Sequence, residues 1–154
     1  MIEQLDHACL SSADIDRSLA FYRDILGMKL EFQMETVGKE FETLFGAPAG
    51  FRARVVQFEE GLEISQFISP HGRDLNLKTW DPGAIFLVFK VSNLDEMYST
   101  LSGKGVKFVN PPITLKSPLP SGGSLKIVHL HGPDGERISF MEFIGQKTGK
   151  THKR

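Results

Sequence analysis

Residues 5–27, LDHACLSSADIDRSLAFYRDILG, and residues 85–105, IFLVFKVSNLDEMYSTLSGKG, carry one pattern twice: a strand, a polar turn, then an amphipathic helix closed by glycine. This repeat constrains the fold more than anything else in the chain, because it makes the chain a duplicated module. In the first copy Ile15, Leu19, Tyr22, Ile25 and Leu26 form the helical stripe, Asp14 or Ser12 is available as N-cap, and Gly27 is the left-handed stop. In the second the stripe is Leu94, Met97, Tyr98 and Leu101. There Asn93 and Glu96 have capping-box spacing, and Gly103 or Gly105 ends the helix. The module ends match too, GLEISQF at 61–67 against RISFMEF at 137–143, which aligns His7 with Phe86 and Glu63 with Ser139.

A length of 154 residues with 40% hydrophobic and 24% charged content suits one ordinary globular domain with a core. The formal net charge of −1 and the lack of a basic helix exclude the electrostatic footprint of a nucleic-acid binder. Cys9 is the single cysteine, so no internal disulfide forms. The opening residues lack a signal-peptide pattern, and no apolar run nears the roughly 20 residues of a spanning helix. The expectation is a soluble, cytoplasmic protein that binds no membrane.

Past the first helix, residues 28–32 read as a strand and 35–42 as a largely polar segment. Phe41, Leu44 and Phe45 then make a short apolar turn before GAPAG, a loop with one helical turn rather than a long helix. Residues 51–59 and 62–68 read as a hairpin, with Gly61, Glu63, Ser65 and Phe67 on one face and Leu62, Ile64 and Gln66 on the other. Residues 69–83 read as a linker between module one (3–68) and module two (84–144). AIFLVFKV has the continuous apolar character of a strand buried on both faces. Residues 110–123, with four prolines and two glycines, read as an irregular loop, either a pocket rim or plain surface. Residues 125–131 and 136–143 form a hairpin across GPDG. Residues 145–154 read as a flexible basic tail, whose Gly149-Lys150-Thr151 fails the phosphate-loop spacing.

His7-x-x-Leu10 in the opening strand, SLAFYRDILG in the first helix, Asp81-Pro82-Gly83 before the second module and GPDG before the last strand together resemble the vicinal oxygen chelate superfamily. That group includes glyoxalase I, extradiol dioxygenases, methylmalonyl-CoA epimerase and the bleomycin- and fosfomycin-resistance proteins, and the likeness covers residues 3–144. The resemblance implies an α+β fold of two tandem βαβββ modules whose curled mixed sheets enclose a cavity. It also implies a homodimer, a small-molecule substrate or ligand, and metal ligands on the first and last strand of each module. By motif those positions are His7, Glu63, Phe86 and Ser139.

Phenylalanine cannot coordinate, and a serine hydroxyl is a weak ligand. His7 and Glu63 therefore supply two donors where a catalytic divalent iron, nickel, zinc or manganese takes three or more. The cofactor is then such a metal, completed by His129 or His131 on the penultimate strand, or none. An acid on the inner face of a strand is costly unless paired, and His7 is the simplest partner for Glu63. The pair reads as a metal half-site, an acid/base pair or an inert hydrogen-bonded contact. Arg137 shares a face with Ser139 and Met141, where it neutralises Glu63, holds a substrate carboxylate or phosphate, or is merely solvated. Phe86 and Met141 favour an apolar or aromatic guest. Cys9 shares a face with His7, as a pocket thiol or, more simply, as a small buried hydrophobe.

Two functions follow. In the first, a lyase, isomerase or epimerase uses Glu63 as general base and His7 as its orienting partner on a carbonyl-bearing substrate. In the second, the protein sequesters an apolar drug or metabolite without catalysis, as bleomycin-resistance proteins do. The acid retained at position 63 favours the enzyme.

Overall fold

Each half of the chain builds one four-stranded mixed sheet with the same strand order, and the computed structural model describes residues 1–116 and 122–145. The chain divides into two units, Met1–Asn76 and Leu77–Arg154. The first holds β1 (Ala8–Ser11), α1 (Ile15–Leu19), a π-helical continuation (Ala20–Ile25), β2 (Leu30–Val37), α2 (Lys39–Phe45), β3 (Arg52–Phe58) and β4 (Leu62–Ser69). The second holds β5 (Phe86–Lys90), α3 (Leu94–Gly103), β6 (Ile113–Lys116), β7 (Ser124–His131) and β8 (Arg137–Ile144). Their orders are β1-β4-β3-β2 and β5-β8-β7-β6, with β1–β4 and β5–β8 parallel and the other pairs antiparallel.

The duplication extends to how each helix is tied to its sheet. Gln66 of β4 accepts a hydrogen bond from the Ile15 N–H at 3.3 Å, and Glu142 of β8 accepts one from the Leu94 N–H at 3.1 Å. Each acceptor lies three residues beyond an aligned position, Glu63 or Ser139, and satisfies an N–H that the first turn of a helix leaves without a partner. Asp14 caps α1 through bonds from Asp16 N and Arg17 N, while Asn93 and Glu96 bond each other at the start of α3. Ser12 contributes differently, bonding Ser18 at 2.7 Å beneath the cap.

The cores follow the stripes. Ile15, Leu19 and Tyr22 are buried with Val56, Phe58, Leu62 and Ile64; Leu94 and Leu101 are buried in the unit that buries Val128, Leu130, Ile138 and Phe140. The wide π turn, with Leu26 N–H bonded to Phe21 O and Met28 N–H to Tyr22 O, rotates Ile25 and Leu26 to half-buried positions. Gly27 closes the helix at φ +77°, a conformation that disfavours any side chain.

Four readings of the sequence are corrected. The polar segment after residue 34 continues β2 to Val37, because β2 is an edge strand whose outer face tolerates charge. Phe41, Leu44 and Phe45 belong to a seven-residue helix, α2, ended by Gly46 at φ +58°. Part of the supposed irregular loop forms β6, the edge partner of β7. β5 is not buried on both faces: it too lies at a sheet edge, and Phe86 and Val88 are exposed while Leu87 and Phe89 turn the other way. The unit boundary at 76/77 falls inside the stretch read as linker. Residues 146–154 of the basic tail, including Gly149-Lys150-Thr151, lie outside the described residues, as do residues 117–121. Among the described residues no helix is long and apolar enough to cross a membrane.

Candidate functional site

Pairing across the first sheet puts Glu63 beside Cys9 of β1 and Gln57 of β3, so these three share a face with His7, Ser65 and Phe67. The Glu63 carboxylate is the centre of a small polar cluster. Its Oε1 accepts from Cys9 Sγ at 3.1 Å and from Ser65 Oγ at 3.1 Å; its Oε2 lies 3.6 Å from His7 Nε2. His7 Nδ1 lies 2.7 Å from Asp6 Oδ2. A carboxylate only accepts, so the Nδ1 proton points at Asp6, and Nε2 is the ring atom that faces Glu63. A cavity of about 310 Å³ in the same unit, lined by Ile15, Gln33, Glu35, Arg54 and Val56 among others, does not include this cluster.

The cluster meets part of a metal's requirement. Two ligand atoms about 2.1 Å from a tetrahedral metal sit roughly 3.4 Å apart, close to the His7–Glu63 gap, and a carboxylate behind the imidazole is the usual support for a ligating histidine. The rest of the donor set is missing. Among the described residues no group of three or more His, Cys, Asp or Glu side chains is placed to hold a metal ion, and Phe86 and Ser139 stand at the other aligned positions. The residues present do not fit a full metal site. We expect protein supplied with iron, nickel, zinc or manganese and then dialysed to retain far less than one equivalent by elemental mass spectrometry. Near-stoichiometric retention that is lost in His7→Ala would overturn this.

Cys9 departs from the buried-hydrophobe reading: the residue is exposed, and its thiol points at the Glu63 carboxylate. Desolvation of the thiol, reinforced by the neighbouring carboxylate and offset in part by Ser65, pushes its pKa up to about 11. The thiol therefore stays protonated at neutral pH and serves Glu63 as a donor. Alkylation of Cys9 should rise with pH along a curve centred near 11, whose midpoint falls only part of the way toward that of a free thiol in Glu63→Gln, because desolvation is the larger cause. A thiol raised in the folded state also contributes stability that is present below about 9 and is lost as pH climbs toward 11.

In the second unit Ser139 occupies the position equivalent to Glu63, paired with Val88 and His129 where Glu63 has Cys9 and Gln57. His129 and His131 thus share the Ser139 face. His129 Nδ1 is 2.6 Å from Ser139 Oγ, whereas His131 Nδ1 donates to Gly135 O at 3.2 Å. Burial, with the Arg137 charge second, holds the His129 imidazole below its ordinary pKa, so it is neutral at pH 7. Arg137 Nη2 donates to Thr79 Oγ1 at 2.6 Å and the guanidinium lies 5.9 Å from the Phe86 ring centroid. Among the described residues its buried Nε finds no acceptor, an arrangement that costs roughly 1–3 kcal/mol. Met141, half-buried, completes this strip of the face.

The structure thus brings His7, Glu63 and Cys9 together in one unit, and Phe86, Arg137, Ser139, His129 and Met141 onto one sheet face in the other. Four residues that matter to these arrangements escape the motif reading. Ser65 was legible, since it lies two residues from Glu63 on the same face, and Asp6 is the neighbour of His7. Gln57 needs the hairpin register, and Thr79 carries no signal because its contact with Arg137 spans 58 residues of sequence.

Comparison with known proteins agrees with this architecture. The family model described as Glyoxalase/Bleomycin resistance protein/Dioxygenase superfamily matches residues 4–140. A lactoylglutathione lyase of Haemophilus influenzae is 25% identical over 146 residues, 95% of this chain and 97% of its own, and an uncharacterized protein, YwbC, of Bacillus subtilis is 26% identical over 92% of this chain and 99% of its own. Among solved structures, a glyoxalase family protein from Bacillus cereus superposes with a TM-score of 0.76 at 19% identity, covering 94% of this chain and 97% of that one. With the family model spanning both modules and the same fold found in that structure, the chain belongs to the glyoxalase/bleomycin resistance protein/dioxygenase superfamily.

Proposed function

We propose that this protein is a glyoxalase-like enzyme that moves a proton on a small carbonyl-bearing compound of apolar or aromatic character, with Glu63 as the base. One observation carries the reading: the Glu63 carboxylate is held by two donors on Oε1 while Oε2 is left facing His7 Nε2, which Asp6 supports from behind. In the step, the bond between hydrogen and the carbon next to the carbonyl breaks. Its proton goes to Glu63 Oε2 and its electron pair becomes the enolate. The His7 lone pair can then take that proton, forming an imidazolium stabilised by Asp6, and return it to the other carbon or the other face. Isomerase, epimerase and lyase outcomes share this half-reaction.

The test works whichever product forms. A panel of alkyl and aryl carbonyl compounds with an acidic neighbouring C–H, incubated in D2O and followed by proton NMR, should show enzyme-dependent exchange for at least one member. Tight binding of panel members with no exchange in any of them would favour the second reading, a sequestering protein. The replacement of two ligand positions by Phe86 and Ser139 supports that alternative.

A further inference from the structure

The two sheets differ in charge at equivalent positions. The register places Arg137 of β8 where the first unit has Gly61, the residue before β4, and Ser139 where β4 has Glu63. One carboxylate is gone and one guanidinium has arrived. The Ser139 face of the second sheet bears Lys90 and Arg137 but, at the paired strand positions, no aspartate or glutamate. Two acids close in sequence are engaged elsewhere: Glu142 accepts from the Leu94 N–H on the opposite face, and the buried Glu136 carboxylate accepts from the Asp134 N–H in its own turn. Such a face repels a cation and attracts an anion.

Around Arg137 the face is apolar and open, with Phe86 44% and Val88 50% exposed and Met141 half-buried. An exposed apolar patch beside a directed charge is the signature of a binding surface. The guanidinium is tethered at one end only: Thr79 accepts from Nη2, Cζ lies 5.9 Å from the Phe86 ring centroid, and among the described residues the Nε–H has no acceptor. A carboxylate matches that fork and would satisfy the missing bond once the side chain turns toward it. From Arg137 to Met141 is four residues of strand, about 13 Å, the span of a medium-chain acyl or arylalkyl body.

We propose that the β5–β8 face of the second unit binds an amphiphilic carboxylate, its head group on Arg137 and its apolar body across Phe86, Val88 and Met141. Proton transfer at Glu63 is not required for this, and the readout is equilibrium binding. Decanoate, decyl phosphate and decanol, each titrated below its micellar concentration into the full-length protein by calorimetry, separate head group from tail. Decanoate should bind at least tenfold more tightly than decanol, with decyl phosphate weaker than decanoate. Arg137→Gln should erase the advantage of acid over alcohol, Arg137→Lys should restore only part of it, and Phe86→Ser should weaken every chain. Equal binding of acid and alcohol, or an unchanged decanoate affinity in a folded Arg137→Gln, overturns the proposal; tighter decyl phosphate overturns the carboxylate assignment. If Arg137→Gln does not fold, Phe86→Ser at its exposed position decides, and undiminished decanoate binding there overturns the proposal.

Discussion

Glu63→Gln is expected to slow exchange of the substrate's acidic C–H by roughly 10²–10⁴-fold while leaving ligand affinity within a few-fold of wild type. The magnitude is what loss of a positioned general base costs. The substitution suits the question because glutamine keeps the size and the acceptor oxygen that Cys9 and Ser65 bond, and removes only the basicity of Oε2. A purely structural acid would give another pattern, in which stability drops and turnover per folded molecule does not. His7→Gln should fall between wild type and Glu63→Gln, since it removes the acceptor 3.6 Å from Oε2 but not the base. Comparable exchange by wild type and Glu63→Gln at equal folded concentration would remove Glu63 from the chemistry and leave the sequestering protein as the function.

His7 and Glu63 were legible because two short motifs and the strand alternation locate them without any tertiary information. Helix stripes, caps and the GPDG hairpin were legible for the same reason: each is a local pattern whose physical cause lies within a turn or two of chain. What failed was whatever depends on a strand's place in its sheet. AIFLVFKV looks like a central strand, yet β5 lies at an edge with Phe86 and Val88 exposed; residues 35–37 look like loop, yet extend an edge strand. Edge status is a property of strand order, and strand order is not written in periodicity. Side-chain partners at long range were hidden for a related reason. Arg137 invited a carboxylate partner by charge alone, whereas the hydroxyl of Thr79 receives its hydrogen bond.

Phe58→Ala is expected to cost about 3–5 kcal/mol of folding stability. Phe58 has no exposed surface, its ring lies 6.2 Å from that of buried Tyr22, and it pairs with Leu62 at the closed end of the β3–β4 hairpin. It therefore fixes both the docking of the first helix and the register that sets Glu63 opposite Gln57 and Cys9. A one-residue slip would send Glu63 to the helix side, where an unpaired carboxylate is strongly disfavoured. Set against a total of about 5–15 kcal/mol for a domain, the loss leaves a marginal protein. Urea denaturation of Phe58→Ala and Phe58→Leu checks this: the leucine variant should lose less than half as much, since it leaves a smaller cavity. Exchange activity per folded molecule should stay near wild type in both, because neither change touches the carboxylate. A midpoint for Phe58→Ala equal to that of wild type would mean that the hairpin is held by something other than this aromatic contact.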